Sequence, residues 1–103
     1  MQEINQYGIS ETIWQQLLKT CFSYPQVVRV ILYGSRARGD YRQGSDIDIA
    51  IYAPLMTNSE FSALWNALDD LLIIFSLDVV HLQSLQNESL VRAINEDGVS
   101  VKI

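Results

Sequence analysis

Residues 30–51 read Val-Ile-Leu-Tyr-Gly-Ser-Arg-Ala-Arg-Gly-Asp-Tyr-Arg-Gln-Gly-Ser-Asp-Ile-Asp-Ile-Ala-Ile. An apolar, β-branched run stands at each end, with a polar stretch rich in glycine and arginine between. The first run, residues 27–33, predicts a strand that Gly34 breaks. Residues 35–40 predict a turn entering a short helix, and residues 41–45 a polar loop. Residues 47–52 predict a second strand, stopped by Pro54. Outward in both directions, the apolar spacing turns helical. Ser10 is a helix cap, with Ile13, Trp14, Leu17, Leu18 and Cys21 on one stripe as far as about Phe22. Thr57 and Glu60 form a capping-box pattern ahead of Phe61, Leu64, Trp65, Leu68, Leu71 and Leu72. Residues 77–82 predict a third strand. Asn87 caps a last helix with Leu90, Val91 and Ile94 on one face, and Gly98 stops it. Residues 99–103 predict a short edge strand. Strands alternating with helices indicate an α/β (α+β) domain: a small mixed β-sheet with helices on one face.

Strand side chains alternate between faces. Asp46 and Asp48 therefore project together, while Ile47, Ile49 and Ile51 point to the core. Two carboxylates this close repel each other, and a divalent cation relieves the repulsion. Mg²⁺ suits such a pair. It takes hard oxygen ligands and few protein carboxylates, and it fills its shell with water and phosphate oxygens. Two such ions about 3.5–4 Å apart can serve both the attacking and the leaving oxygen of a displacement. Gly34-Ser35 lies where a strand turns into a helix, so backbone N–H groups can face a phosphate and Gly34 permits close approach. The Ser35 hydroxyl is a further donor. Arg36 or Arg38 supplies charge for a leaving pyrophosphate, and the other can pair with Asp40. Ser45, beside the acid pair, is either a nucleotide contact or a hydrogen bonder of its loop. Asp78, at the start of the third strand, is the candidate third acid. It would complete the metal site or draw a proton from an acceptor hydroxyl. His81 lies on the opposite side of that strand and reads as structural. Tyr33, Trp14 and Trp65 read as packing residues, with stacking on a base as the alternative for Tyr33 and a reading open to Tyr41, and a protein contact as the alternative for the tryptophans.

Gly34-Ser35, ten intervening residues, then Asp46-Ile47-Asp48 resembles the signature of the DNA polymerase β-like nucleotidyltransferase superfamily. The fuller run GSRARG…SDIDIAI, with LDVV at residues 77–80, is similar to its minimal, MNT-type branch. The resemblance implies the polymerase β palm-like nucleotidyltransferase fold. It implies that Gly34 and Ser35 hold a triphosphate, that Asp46 and Asp48 bind Mg²⁺, and that Asp78 is the third carboxylate. It further implies an antitoxin role beside a small helical HEPN ribonuclease toxin, with AMP moved from ATP to a tyrosine of that toxin. A nucleotide-binding module that silences a partner by occlusion is the alternative.

Composition bounds these expectations. With 103 residues, 49% hydrophobic and 18% charged, the chain fits one globular domain spanning residues 1–103. A net charge of −5, from 12 acids against 7 bases, argues against nucleic acid as partner. A nucleoside triphosphate and a protein are the expected partners, with homo- or hetero-oligomers left open. Cys21 and His81 stand alone of their kinds, which excludes an internal disulfide and a cysteine-based zinc site. No apolar run approaches the length of a membrane span, and no leader pattern is visible, so the expected compartment is the cytoplasm.

Overall fold

The computed structural model describes residues 4–71 and 76–101. Its elements run α1 (Glu11–Phe22), β1 (Arg29–Tyr33), α2 (Gly34–Arg38), β2 (Ile47–Tyr52), α3 (Asn58–Leu71), β3 (Leu77–His81), α4 (Glu88–Asp97) and β4 (Val99–Val101). The expected positions of Leu72 in a helix and of residues 102–103 in a strand lie outside the described residues.

β2 organises the sheet. It pairs antiparallel with β1 and parallel with β3, and β1 pairs antiparallel with β4, giving the order β3-β2-β1-β4. The parallel pairing requires a long crossover, and α3 supplies it. Ile47, Ile49 and Ile51 are fully buried. Each such side chain stabilises the fold by roughly 1.5–3 kcal/mol. They join Val30 and Leu32 of β1 in one core with Trp14, Leu17, Leu18 and Cys21 of α1 and Leu64 and Leu68 of α3. The capping box at α3 is closed in both directions. Thr57 N–H donates to Glu60 Oε1 at 2.9 Å, and Glu60 N–H donates to Thr57 Oγ1 at 3.1 Å. Asn87 caps α4 by accepting from Leu90 N–H at 3.1 Å.

Helices lie on both faces of the sheet, where the sequence reading placed them on one. Because β1 alternates, Ile31 and Tyr33 point away from α1 and α3. With Ala50 they form a second buried cluster, covered by Ile94 of α4. A sheet whose β1 is apolar on both sides needs cover on both sides. Pairing begins at Val28, whose N–H donates to Tyr52 O at 2.8 Å, but the strand proper starts at Arg29. Leu82 leaves β3 for a short 3-10 turn, Leu82–Ser84.

Gly98 does end α4, for a reason other than a left-handed turn. Its φ is −67°. A Cβ there would press on the Ile94 carbonyl and lie 2.6 Å from Ile31 Cγ2. Only glycine lets the chain pass from α4 into β4 this close to β1. His81 is structural, as expected. Its ring stacks on Phe61 at 5.0 Å, Nε2 meets the Ala53 carbonyl at 3.0 Å, and Nδ1 meets Ser84 Oγ at 3.1 Å.

Candidate active site

The strand registers set the site. Tyr33 of β1 lies opposite Asp48 of β2, and Asp48 lies opposite Asp78 of β3. Residues directly opposite on paired strands share a face. Tyr33, Asp48 and Asp78 thus form a cross-strand row on the face turned away from α1 and α3. Asp46 lies two residues before Asp48, just ahead of β2, and alternation brings it to the same side. Asp46 and Asp78 are exposed and Asp48 is half-buried.

The electrostatics follow from that row. Burial pushes the Asp48 carboxyl up to about 6, and the charges of Asp78 and then Asp46 push in the same direction, while Arg38 and Arg36 pull it back. Tyr33 feels the same acids. Its phenol rises to about 12, first through burial and then through Asp78 and Asp48. The ion pairs of Arg38 go to Asp40 and Asp97 and not to these three carboxylates. Acids gathered this way, with Arg38 and Arg36 offsetting only part of the effect at Asp48, favour a cation.

Gly34 fits the same picture. Its φ is +75°, in the left-handed region, and a Cβ there would collide with the Asp48 carboxylate. The bend after β1 therefore lies directly against the central acid, and only glycine fits the gap. Ser35 follows it, half-buried, in the first turn of the five-residue α2. The donor set suits an ion that carries part of its own shell. Among the described residues, no three acid, histidine or cysteine side chains close into a ready-made metal cluster. An open group of acids suits Mg²⁺, because that ion keeps waters and substrate oxygens among its ligands.

The two arginines divide. Arg36 is buried at 3% exposure. Its guanidinium donates to the carbonyls of Tyr7 at 2.9 Å, Gly8 at 3.2 Å and Ser45 at 2.9 and 3.2 Å, and it lies 5.1 Å from the Tyr41 ring. These contacts tie the loop before α1 to the loop that delivers Asp46. Ser45 belongs to the same tie, and its Oγ also accepts from Arg42 N–H at 2.8 Å. Of the candidate nucleotide contacts, Arg36 and Ser45 are thus engaged with main chain. Arg38 is exposed, with Asp40 Oδ2 at 3.2 Å and Asp97 Oδ2 at 3.5 Å. Helix geometry separates the pair. Arg38 stands four residues after Gly34, on the same face of α2, whereas Arg36 stands two residues on and faces elsewhere. Sequence reasoning missed Asp97, for which long-range pairing left no local signal. It also missed Tyr33 as a neighbour of the acids, although strand alternation in register with Asp48 carried that information.

The family pattern described as Polymerase beta, Nucleotidyltransferase matches residues 15–102. No curated protein shows a match to the chain. Among solved structures, a toxin–antitoxin complex with AMP-PNP is 26% identical with a TM-score of 0.65, over 87% of this chain and 70% of that one. A mutant MntA-HpeT toxin–antitoxin complex is 25% identical with a TM-score of 0.61, over 89% and 70% of the two chains. A complex of a tri-AMPylated Shewanella oneidensis HEPN toxin with an MNT antitoxin shares the fold at 24% identity and a TM-score of 0.58, over 87% and 66%. The match takes in the whole sheet and leaves out the first turn of α1, what precedes it and the last residue, Ile103, and the chain belongs to the polymerase β nucleotidyltransferase family.

Proposed function

We propose that this chain uses Mg²⁺ to transfer AMP from ATP to a hydroxyl, that of a tyrosine on a partner HEPN-type toxin, and so acts as an antitoxin. The observation that carries the reading is the cross-strand row that sets Asp48 against Asp78 and against the Gly34 bend. Family membership and the likeness to a toxin–antitoxin complex with AMP-PNP support it.

Asp46 and Asp48 would hold the metal, with Asp78 as third acid. When bound, Mg²⁺ supplies charge that neutralises the triphosphate and the transition state. The residues of the chain do the remaining work. Gly34 brings main chain close to the phosphates, and Ser35 donates to them. Arg38 faces the negative charge that grows on the leaving group. The tyrosine oxygen attacks the α-phosphorus in line, and the bond to the bridging oxygen of the β-phosphate breaks. Asp78 takes the phenol proton, and pyrophosphate leaves. The products are an O-AMP tyrosine and pyrophosphate.

The test is transfer of label from α-phosphate-labelled ATP to the product of the adjacent gene, with Mg²⁺ present. Wild type should label it, and Asp46→Ala/Asp48→Ala should not. Equal labelling by both proteins refutes the reading. Occlusion is the second reading, favoured by the exposure of Leu55 at 85% and Trp65 at 39%. Full protection of cells by the double variant would select it.

A further inference from the structure

We propose that Asp97 sets the nucleotide affinity of the site by competing with the triphosphate for Arg38. The inference rests on the nucleotide-site reading above and deepens it.

Arg38 has two possible allegiances. It rises from the last turn of α2 on the face shared with Gly34, and Gly34 packs against Asp48. A polyanion seated on the Gly34 bend would therefore lie within reach of this guanidinium. Meanwhile Arg38 Nη1 is held by Asp97 Oδ2 at 3.5 Å, and Nε by Asp40 Oδ2 at 3.2 Å. Asp97 is the last residue of α4, and the pair bridges two helices.

These ion pairs are weak by construction. The Arg38 side chain is 45% exposed, Asp97 32% and Asp40 62%. Exposed pairs of this kind contribute little and are screened by salt. A triphosphate with its bidentate oxygens forms a stronger partner for a guanidinium than one loosely held carboxylate. Arg38 is thus oriented by Asp40 and Asp97 but not locked. A triphosphate that draws on the Nη1 donor displaces the Asp97 contact, which weakens affinity by whatever that contact is worth.

Calorimetric titration of the intact protein with Mg·ATP tests this. Asp97→Asn should bind about 2–5-fold tighter than wild type. Arg38→Ala should bind about 5–10-fold weaker. The decisive variant is the double one, Asp97→Asn/Arg38→Ala, which should match Arg38→Ala alone. Glu96→Gln removes the same charge next door without touching Arg38, and should leave the affinity within twofold of wild type. A gain from Asp97→Asn that persists without Arg38, or that Glu96→Gln reproduces, would show a general field and overturn the proposal. Unchanged or weaker binding by Asp97→Asn overturns it as well. Failure of wild type itself to bind Mg·ATP is the separate result that removes the nucleotide-site reading, and this inference with it. A loss of melting temperature in Asp97→Asn without the affinity gain would leave Asp97 a purely structural residue.

Discussion

Gly34 and Asp48 constrain each other more tightly than any other pair in the site. The bend at φ +75° leaves no space for a β-carbon beside the carboxylate. Gly34→Ala should cost about 1–2 kcal/mol of stability, from the left-handed backbone and the displaced acid. Labelling of the partner should fall more than about 100-fold, because Asp48 must move from the position in which it is proposed to hold the metal. A melt and a rate measurement on the same preparation check both. Asp48 also makes stability depend on pH. Its carboxyl titrates near 6 in the folded protein against an ordinary value of 3.8. The unfolded chain thus releases this proton more easily, and stability falls as pH rises through that interval. Asp48→Asn cannot ionise and escapes the loss. Without Mg²⁺ it should be more stable than wild type by about 1–2 kcal/mol at pH 8, after allowance for the solvent exposure of the group. The difference should close below about pH 4. Thermal melts across that range decide it, and a gap independent of pH would show that ionisation of the half-buried Asp48 beside Asp78 and Asp46 is not the cause.

Elements differ in how openly the sequence announces them, and the reason is the range of the forces involved. The caps of α3 and α4 rest on contacts three residues apart, Thr57 with Glu60 and Asn87 with Leu90, so local pattern reveals them. Thr57→Ala should accordingly lower stability by about 1 kcal/mol, measurable by urea unfolding. β2 was equally plain, since alternation separates its isoleucines from its aspartates. The placement of Asp48 against Asp78 was harder. It required β3 to lie parallel beside β2, which no local spacing dictates. α4 on the opposite face from α1 and α3 was not foreseen, because the demand for cover comes from Ile31, Tyr33 and Ala50 only once the sheet is assembled. Arg36 shows the same limit. Its carbonyl partners Tyr7 and Gly8 lie 29 and 28 residues away, so a motif arginine resembled a phosphate ligand. Arg36→Ala should strand those buried carbonyls and loosen the loop that delivers Asp46. The expected cost is about 3 kcal/mol, with a loss of labelling even at temperatures where the variant stays folded.

At the scale of the whole molecule, the two sides of the sheet have separate tasks. One packs against α1 and α3, and the other carries the acids beside α2 and α4. Leu64 is fully buried on the first side. Leu64→Ala should cost about 2–5 kcal/mol, yet its folded fraction should label at the wild-type rate. Charge is the second global property. The chain bears −5, and its acids crowd the very face that a polynucleotide would need to approach. Of the arginines nearest the acids, Arg36 is buried in carbonyl contacts and Arg38 is partnered by Asp40 and Asp97. Among the described residues these two arginines form no continuous basic track there to release counterions from a phosphate backbone, and that release supplies most non-specific affinity for nucleic acid. A single triphosphate differs in kind. It is compact, arrives with its own Mg²⁺, and asks for a few donors around one glycine bend. The protein should therefore bind Mg·ATP while leaving labelled single-stranded RNA and DNA free at 0.15 M salt, with any dissociation constant weaker than about 100 μM. Anisotropy titration over a range of salt measures this. Micromolar binding that weakened steeply with salt would mean that basic side chains form a polynucleotide track after all, and would move the acceptor from a protein hydroxyl to a nucleic acid.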